Sequence, residues 1–260
     1  MFILKKLMAL MLSLLLLLAP CTALAVDYSS QISSIMSSFT LGNIRADSAY
    51  QQQANGAYRM VELLEIIALE KGCSSTSVSS IMSSFTLGNI RADSALQQIA
   101  NGTYRTVELL ELIALKLGCS TTSVSSIMSS FTLGNIRADS AYQQQANGSY
   151  RTVELLELIA LKLGCSSTSV SSIMSSFTLG NIRADSALQQ LANGTYRTVE
   201  LLELIALKIG CSSTSVSSIM SSFTLGNIRA DSAIQQAANG FYRSVELLEL
   251  IARKWNGSIL

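Results

Sequence analysis

The chain has 260 residues, no histidine, and so few charges (13%) that its 18 Lys and Arg nearly cancel its 17 Asp and Glu. Without an imidazole there is no histidine-dependent triad and no histidine-containing zinc site. Once Lys5 and Lys6 are assigned to a leader, 16 basic residues face 17 acidic ones, which leaves no electrostatic footprint for nucleic acid.

The first 25 residues read as a signal peptide. Lys5 and Lys6 form a positive start, Leu7 to Leu18 an apolar stretch, and Ala23-Leu24-Ala25 a small-x-small cleavage site, so the expected mature chain runs from 26 to 260 and is exported, to the periplasm, the cell surface or the medium. The apolar run is short for a membrane span of about 20 residues. Leu18-Ala19-Pro20-Cys21 offers a second reading, a lipid anchor on Cys21, although Pro20 is poorly suited to the position before such a cysteine.

From residue 30 onward the chain is one motif repeated. A 46-residue unit starts near residues 35, 81, 127, 173 and 219, with the last copy cut short. A fixed period of this length, reading as helices separated by Gly, Asn and Ser, is the signature of a helical repeat array. The expected fold is all-α: five tandem 46-residue helical repeats, each a short helix plus a long helix, forming one elongated solenoid-like array.

Within the unit, Val78, Ile81, Met82 and Phe85 fall at i, i+3, i+4 and i+7, which predicts a short helix over Ser77 to Leu87 with Ser77 as its cap and Gly88 as its stop. Asn89 then caps a second run from Ile90. Asn101-Gly102 is a helix stop by local rules, yet the polar sector carrying Arg91, Ser94, Gln97, Gln98, Asn101, Arg105, Glu108 and Lys116 keeps one phase through it. A break resets phase, so one long helix from Ile90 to Leu117 is expected. The alternative is a three-helix unit resembling an armadillo repeat. After Asn101 the helix is apolar nearly all round, from Val107 to Leu117, which predicts burial of that half.

Reach bears on the packing. A 28-residue helix is about 42 Å long, and the connector from Gly118 to Asn135, with an eleven-residue helix inside it, spans barely that distance. This favours long helices that alternate in direction. In such a zigzag, or in same-direction stacking, Cys73, Cys119, Cys165 and Cys211 lie too far apart to bridge, so they read as small apolar residues at helix ends.

Differences between copies concentrate on one helical stripe with spacing i, i+3, i+7 and i+10. Its members are Tyr50, Gln53, Ala57 and Met60; Leu96, Ile99, Thr103 and Thr106; Tyr142, Gln145, Ser149 and Thr152; Leu188, Leu191, Thr195 and Thr198; and Ile234, Ala237, Phe241 and Ser244. A recognition surface would place variation there, and so would packing between units. On the first reading the candidate partner-binding residues are Tyr50, Gln53, Leu96, Ile99, Tyr142, Gln145, Leu188, Leu191, Ile234 and Phe241. The ends also depart from the consensus. Arg253 replaces Leu115, and Glu70-Lys71 replaces Lys116-Leu117, which reads as capping: Arg253 exposed, with Leu115, Leu161 and Leu207 buried.

Other motifs carry little. Glu108 and Glu111 with Arg105 at i−3 form a solvated ion-pair ladder rather than a catalytic carboxylate pair. The Asn-Gly-Thr/Ser triplets at 101, 147, 193 and 256 match a glycosylation acceptor by chance, since the leader is of a bacterial type. With its Asn and Gln spaced along a helix, Ile90 to Leu117 loosely resembles helical segments of phage tail and other fibre proteins, which implies self-association into a fibre or sheath. The expected function is non-enzymatic, with no cofactor and no metal: an exported protein-interaction or adhesion scaffold, or alternatively a self-assembling structural subunit.

Overall fold

The computed structural model describes residues 26–37, 46–83, 92–129, 138–175, 184–221 and 230–257. The leader, the lipid-anchor cysteine and the Gly88 and Asn89 signals lie outside these residues. Among the described residues the protein is all-α. Short helices α1 (Ser29–Ser37), α3 (Ser75–Met82), α5 (Thr121–Ser129), α7 (Ser167–Ser175) and α9 (Ser213–Met220) alternate with long helices α2 (Ala46–Glu70), α4 (Ala92–Lys116), α6 (Ala138–Lys162), α8 (Ala184–Lys208) and α10 (Ala230–Trp255).

Each long helix runs unbroken through its Asn-Gly pair, as the surviving phase of the polar sector predicts. The glycine stays helical because a neighbouring helix sits where its side chain would be. A Cβ on Gly102 would lie 2.9 Å from Ala57 Cβ, one on Gly194 2.7 Å from Ser149 Cβ, and one on Gly240 2.7 Å from Thr195 Cβ. The glycine costs about 1 kcal/mol of helix propensity, and close packing of the two helices offsets that cost.

The helix ends follow local chemistry. Gly72, with φ +74°, occupies the left-handed position. Its N–H bonds to Leu69 O and the N–H of Cys73 to Ala68 O, both at 2.9 Å, a Schellman motif that recurs at Gly118, Gly164 and Gly210. The following short helix starts earlier than Ser77: Ser74 is its cap, and its Oγ accepts from Ser77 N at 3.4 Å.

The array is not an elongated one. Each long helix packs against the two long helices beside it in sequence, and α10 packs against α2 as extensively as α2 does against α4. The same glycine contact closes the circle, for a Cβ on Gly56 would meet Phe241 Cβ at 2.8 Å. Five long helices therefore form a closed ring. They run in one direction and do not zigzag: Lys116 of the second unit lies over Gly72 at the end of the first, Lys162 over Gly118, Lys208 over Gly164 and Lys254 over Gly210. The connector reaches because the long helix is 25 residues, about 37 Å. Between Lys116 and Ala138 lie 21 residues, nine of them in α5, and these span up to about 53 Å.

Closure explains why the second half of each long helix is apolar nearly all round. One sector faces the ring axis and two flanks face neighbouring helices. Leu64, Leu110, Leu156, Leu202 and Leu248 line the axis, with Ile67, Ile113, Ile159, Ile205 and Ile251 below them and Trp255 at the end. Void space there is only about 20 Å³, so side chains fill the axis. Burying each such leucine or isoleucine contributes about 1.5–3 kcal/mol, and truncating one to Ala costs about 2–5 kcal/mol.

The two chain ends meet at the closing junction. Helix α1 packs on both α10 and α2, the place that α3 takes between α2 and α4. Asn256 clamps it there. Its Oδ1 accepts from Tyr28 N at 3.0 Å, and its Nδ2 donates to Asp27 Oδ1 at 2.9 Å and to Ser29 Oγ at 3.0 Å. The hydroxyl and backbone N–H of Ser29, with Asn256, hold the Asp27 carboxyl down at about 2. Lys71 lies 3.8 Å above the Trp255 ring. The capping expectation therefore fails. Leu115, Leu161 and Leu207 are 37–42% exposed, whereas Arg253 is half-buried and bonds to Glu249 and to Ser33 of α1. A ring has no terminal unit to cap.

Candidate interaction surface

The variable stripe points into the ring. Gln53, Ile99, Gln145, Leu191 and Ala237 form one buried layer. Ala57, Thr103, Ser149, Thr195 and Phe241 form the next, and Met60, Thr106, Thr152, Thr198 and Ser244 a third. Tyr50 and Ile234 are half-buried at the top, while the side chains of Leu96, Tyr142 and Leu188 lie outside the described residues. This is the burial that packing between units requires. Several hydroxyls in these layers return to their own helix: Thr103 Oγ1 donates to Ile99 O at 2.8 Å, Thr198 Oγ1 to Gly194 O at 2.9 Å and Ser244 Oγ to Gly240 O at 2.9 Å, while Thr152 Oγ1 is buried with no hydrogen-bond partner among the described residues. Gln53 Nε2 crosses the closing junction to Ile234 O at 2.8 Å. Each of the lower two layers holds one large side chain, Phe241 or Met60, among small ones.

The four described cysteines are free. Each sits just past the helix-ending glycine, and Cys119, Cys165 and Cys211 direct Sγ at the carbonyls of Leu158, Leu204 and Leu250 at 3.6 Å. Burial pushes all four thiols up, opposed in part by a nearby lysine. They pack helix ends and are poorly suited to act as nucleophiles.

The outer wall is different. Arg59, Arg105, Arg151, Arg197 and Arg243 each pair with the glutamate three residues on, and each lies 4.7–4.9 Å from the ring of the preceding tyrosine. The expected ladder thus has one such rung per unit, half-buried rather than solvated, with a second, Arg253–Glu249, in the fifth. The second carboxylate, at Glu65, Glu111, Glu157 and Glu203, lies outside that rung. Burial first, and then the glutamate three residues earlier, raise its pKa in all four units.

Glu65 lines a notch between the long helix α2 and the short helix α1. At the first unit the notch is an open groove of about 410 Å³, with Ile35, Ile66 and Leu69 as an apolar floor and Glu62 and Glu65 as one wall. Tyr28 and Gln31 of α1 close its rim. At the next three units the leucine equivalent to Leu69 is exposed. The sequence carried a signal for this surface, a leucine four residues after a glutamate in four copies and an arginine there in the fifth. It was read as an end effect. Comparison of the chain with protein-family models, with curated proteins and with solved structures finds no match. Among the described residues no helix is long and apolar enough to cross a membrane.

Proposed function

We propose that the protein is an exported, non-enzymatic interaction scaffold that engages a protein partner through the outer wall of its ring. The exposure of Leu115, Leu161 and Leu207 at the same place in three successive units carries this reading. A fully formed apolar core has no need to leave three equivalent leucines in water, and repeated apolar patches of this kind serve as contact sites. Export rests on the leader alone. The fibre alternative draws on contacts between units that continue past the chain end, and ring closure uses up both faces of that contact, which weighs against it.

The test is affinity capture from an extracytoplasmic fraction with the mature chain and with a Leu115→Ser, Leu161→Ser, Leu207→Ser variant. Circular dichroism should be the same for both, since surface substitutions change little. The reading expects partners captured by the parent chain to be lost with the variant. An identical set from both proteins would sink it. Light scattering on the eluted mature protein addresses the fibre alternative, and growth of mass with concentration would favour it.

A further inference from the structure

The fifth unit shows what fits beside the second carboxylate. There the residue four positions after the glutamate is Arg253 instead of leucine, and its Nε donates to Glu249 Oε1 at 2.8 Å while Nη2 reaches Ser33 Oγ of α1 at 3.3 Å. The guanidinium lies against the outer wall, its stem where Leu69, Leu115, Leu161 and Leu207 lie in the other copies. Those four copies keep the carboxylate, at Glu65, Glu111, Glu157 and Glu203, and keep a short-helix serine equivalent to Ser33, namely Ser79, Ser125, Ser171 and Ser217. Among the described residues no cation pairs with these four carboxylates, and a leucine stands where the fifth unit has its arginine.

Building on the scaffold reading, we infer that these four glutamate–serine pairs, each between a long helix and the short helix that follows it, are equivalent seats for arginine side chains of a partner protein, each guanidinium taking the place that Arg253 fills from within the chain at the fifth. Guanidinium suits this seat because its planar fork can reach a carboxylate and a hydroxyl together and its weak hydration tolerates a half-buried wall. The leucine beside each carboxylate, exposed at Leu115, Leu161 and Leu207 and half-buried at Leu69, supplies the flank for the arginine stem or an aliphatic neighbour. The raised pKa of each of these glutamates, caused by burial and then by the glutamate three residues earlier, agrees with a carboxylate that has no cation partner among the described residues. Four seats around one rigid ring also permit avidity, so a segment with several arginines binds far more tightly than one arginine does.

The probe is a fluorescein-labelled peptide of alternating Arg and Leu, read by anisotropy against the mature chain at low salt, with a Gln-Leu peptide as control. The expected result is saturable binding of the Arg-Leu peptide alone, weakening strongly between roughly 0.05 M and 0.5 M salt as screening grows. A variant with Glu65→Gln, Glu111→Gln, Glu157→Gln and Glu203→Gln should bind at least about tenfold more weakly, the effect of losing 1.4 kcal/mol or more. A second variant, with Leu69→Arg, Leu115→Arg, Leu161→Arg and Leu207→Arg, copies the fifth unit into every seat and should also lose binding. Equal binding of both peptides, or an affinity unchanged by the glutamine substitutions, would overturn the inference. If the three leucine-to-serine changes abolish partner capture while the glutamine substitutions leave both capture and peptide binding intact, the arginine seat falls and the scaffold reading stands.

Discussion

Replacing Gly102 with alanine sets local preference directly against ring packing. In an isolated helix the change is stabilising by about 1 kcal/mol, because Ala loses less backbone freedom than Gly. In the ring, the new Cβ would lie 2.9 Å from Ala57 Cβ and 3.5 Å from the Ala57 carbonyl carbon, where carbon pairs prefer about 3.5–4.0 Å. The neighbouring helix must move by several tenths of an ångström, and closure lets it move only by disturbing its other contacts. Overpacking of this kind costs about 1–3 kcal/mol. The net expectation is a loss of about 0–2 kcal/mol for Gly102→Ala, and a larger loss for Gly240→Ala, whose Cβ would meet both Cβ and Oγ1 of Thr195 at 2.7 Å. Urea unfolding with an unchanged m-value measures this as a lower midpoint. If both variants gained about 1 kcal/mol, the glycines would not be contact points and the packing argument would fail.

Three further expectations follow from the closing junction and the axis. Glu70 stands where the other units carry Lys116, Lys162, Lys208 and Lys254, and both its carboxylate oxygens are buried with no hydrogen-bond partner among the described residues. Burial, opposed by Lys71, pushes its pKa from 4.5 up to about 7. The folded state thus holds the proton more tightly than the unfolded chain, so stability should fall as pH rises from about 4.5 to about 7 and level off above. Glu70→Gln should remove a slope worth about 1–2 kcal/mol, after allowance for solvent at the ring mouth; chemical denaturation at a series of pH values would show an undiminished slope if Glu70 is not its source. Asn256→Ala deletes three partly exposed hydrogen bonds to the start of α1 and should cost about 1–2 kcal/mol, seen as faster amide exchange in α1; unchanged exchange there would contradict the clamp. Ile99→Gln introduces an amide into a fully buried axial layer and should cost about 1–3 kcal/mol in thermal unfolding, whereas a surface stripe would accept it with almost no change.

The helices were legible because their signals are local. A polar sector that holds phase through Asn101-Gly102 describes one helix whatever surrounds it, and the Gly-Cys-Ser joints state where it ends. Direction and closure were less legible because they rest on small geometric margins. Direction turns on reach: an eleven-residue short helix ending at Leu87 leaves a connector that barely spans the long helix, whereas α3 ends at Met82. Curvature of a helical row depends on how much volume lies on its inner side, and no single unit states that.

The information was nevertheless present between units. Phe241 and Met60 are each the one large residue of a layer otherwise built of small ones, a complementarity among all five copies that no one unit displays. The departures at the two ends, Glu70 and Lys71 in the first copy and Arg253 in the last, read singly as caps that face solvent. They are two halves of one junction. The outer surface is hard to read for the same reason: with Arg253 as a solvent-facing cap, Leu115, Leu161 and Leu207 read as core.

Ring closure is tested most directly by a distance across the junction. Spin labels at Ser30→Cys in α1 and Thr214→Cys in α9, both exposed and equivalent within their units, would be measured by pulsed electron paramagnetic resonance in a mature chain with Cys73, Cys119, Cys165 and Cys211 replaced by alanine. In a closed ring of five helices spaced 8–10 Å apart, these neighbouring short helices lie about 20 Å apart. In an open row they are four spacings apart, about 32–40 Å. The account predicts a single population near 20 Å, and a distribution centred beyond about 30 Å would contradict it.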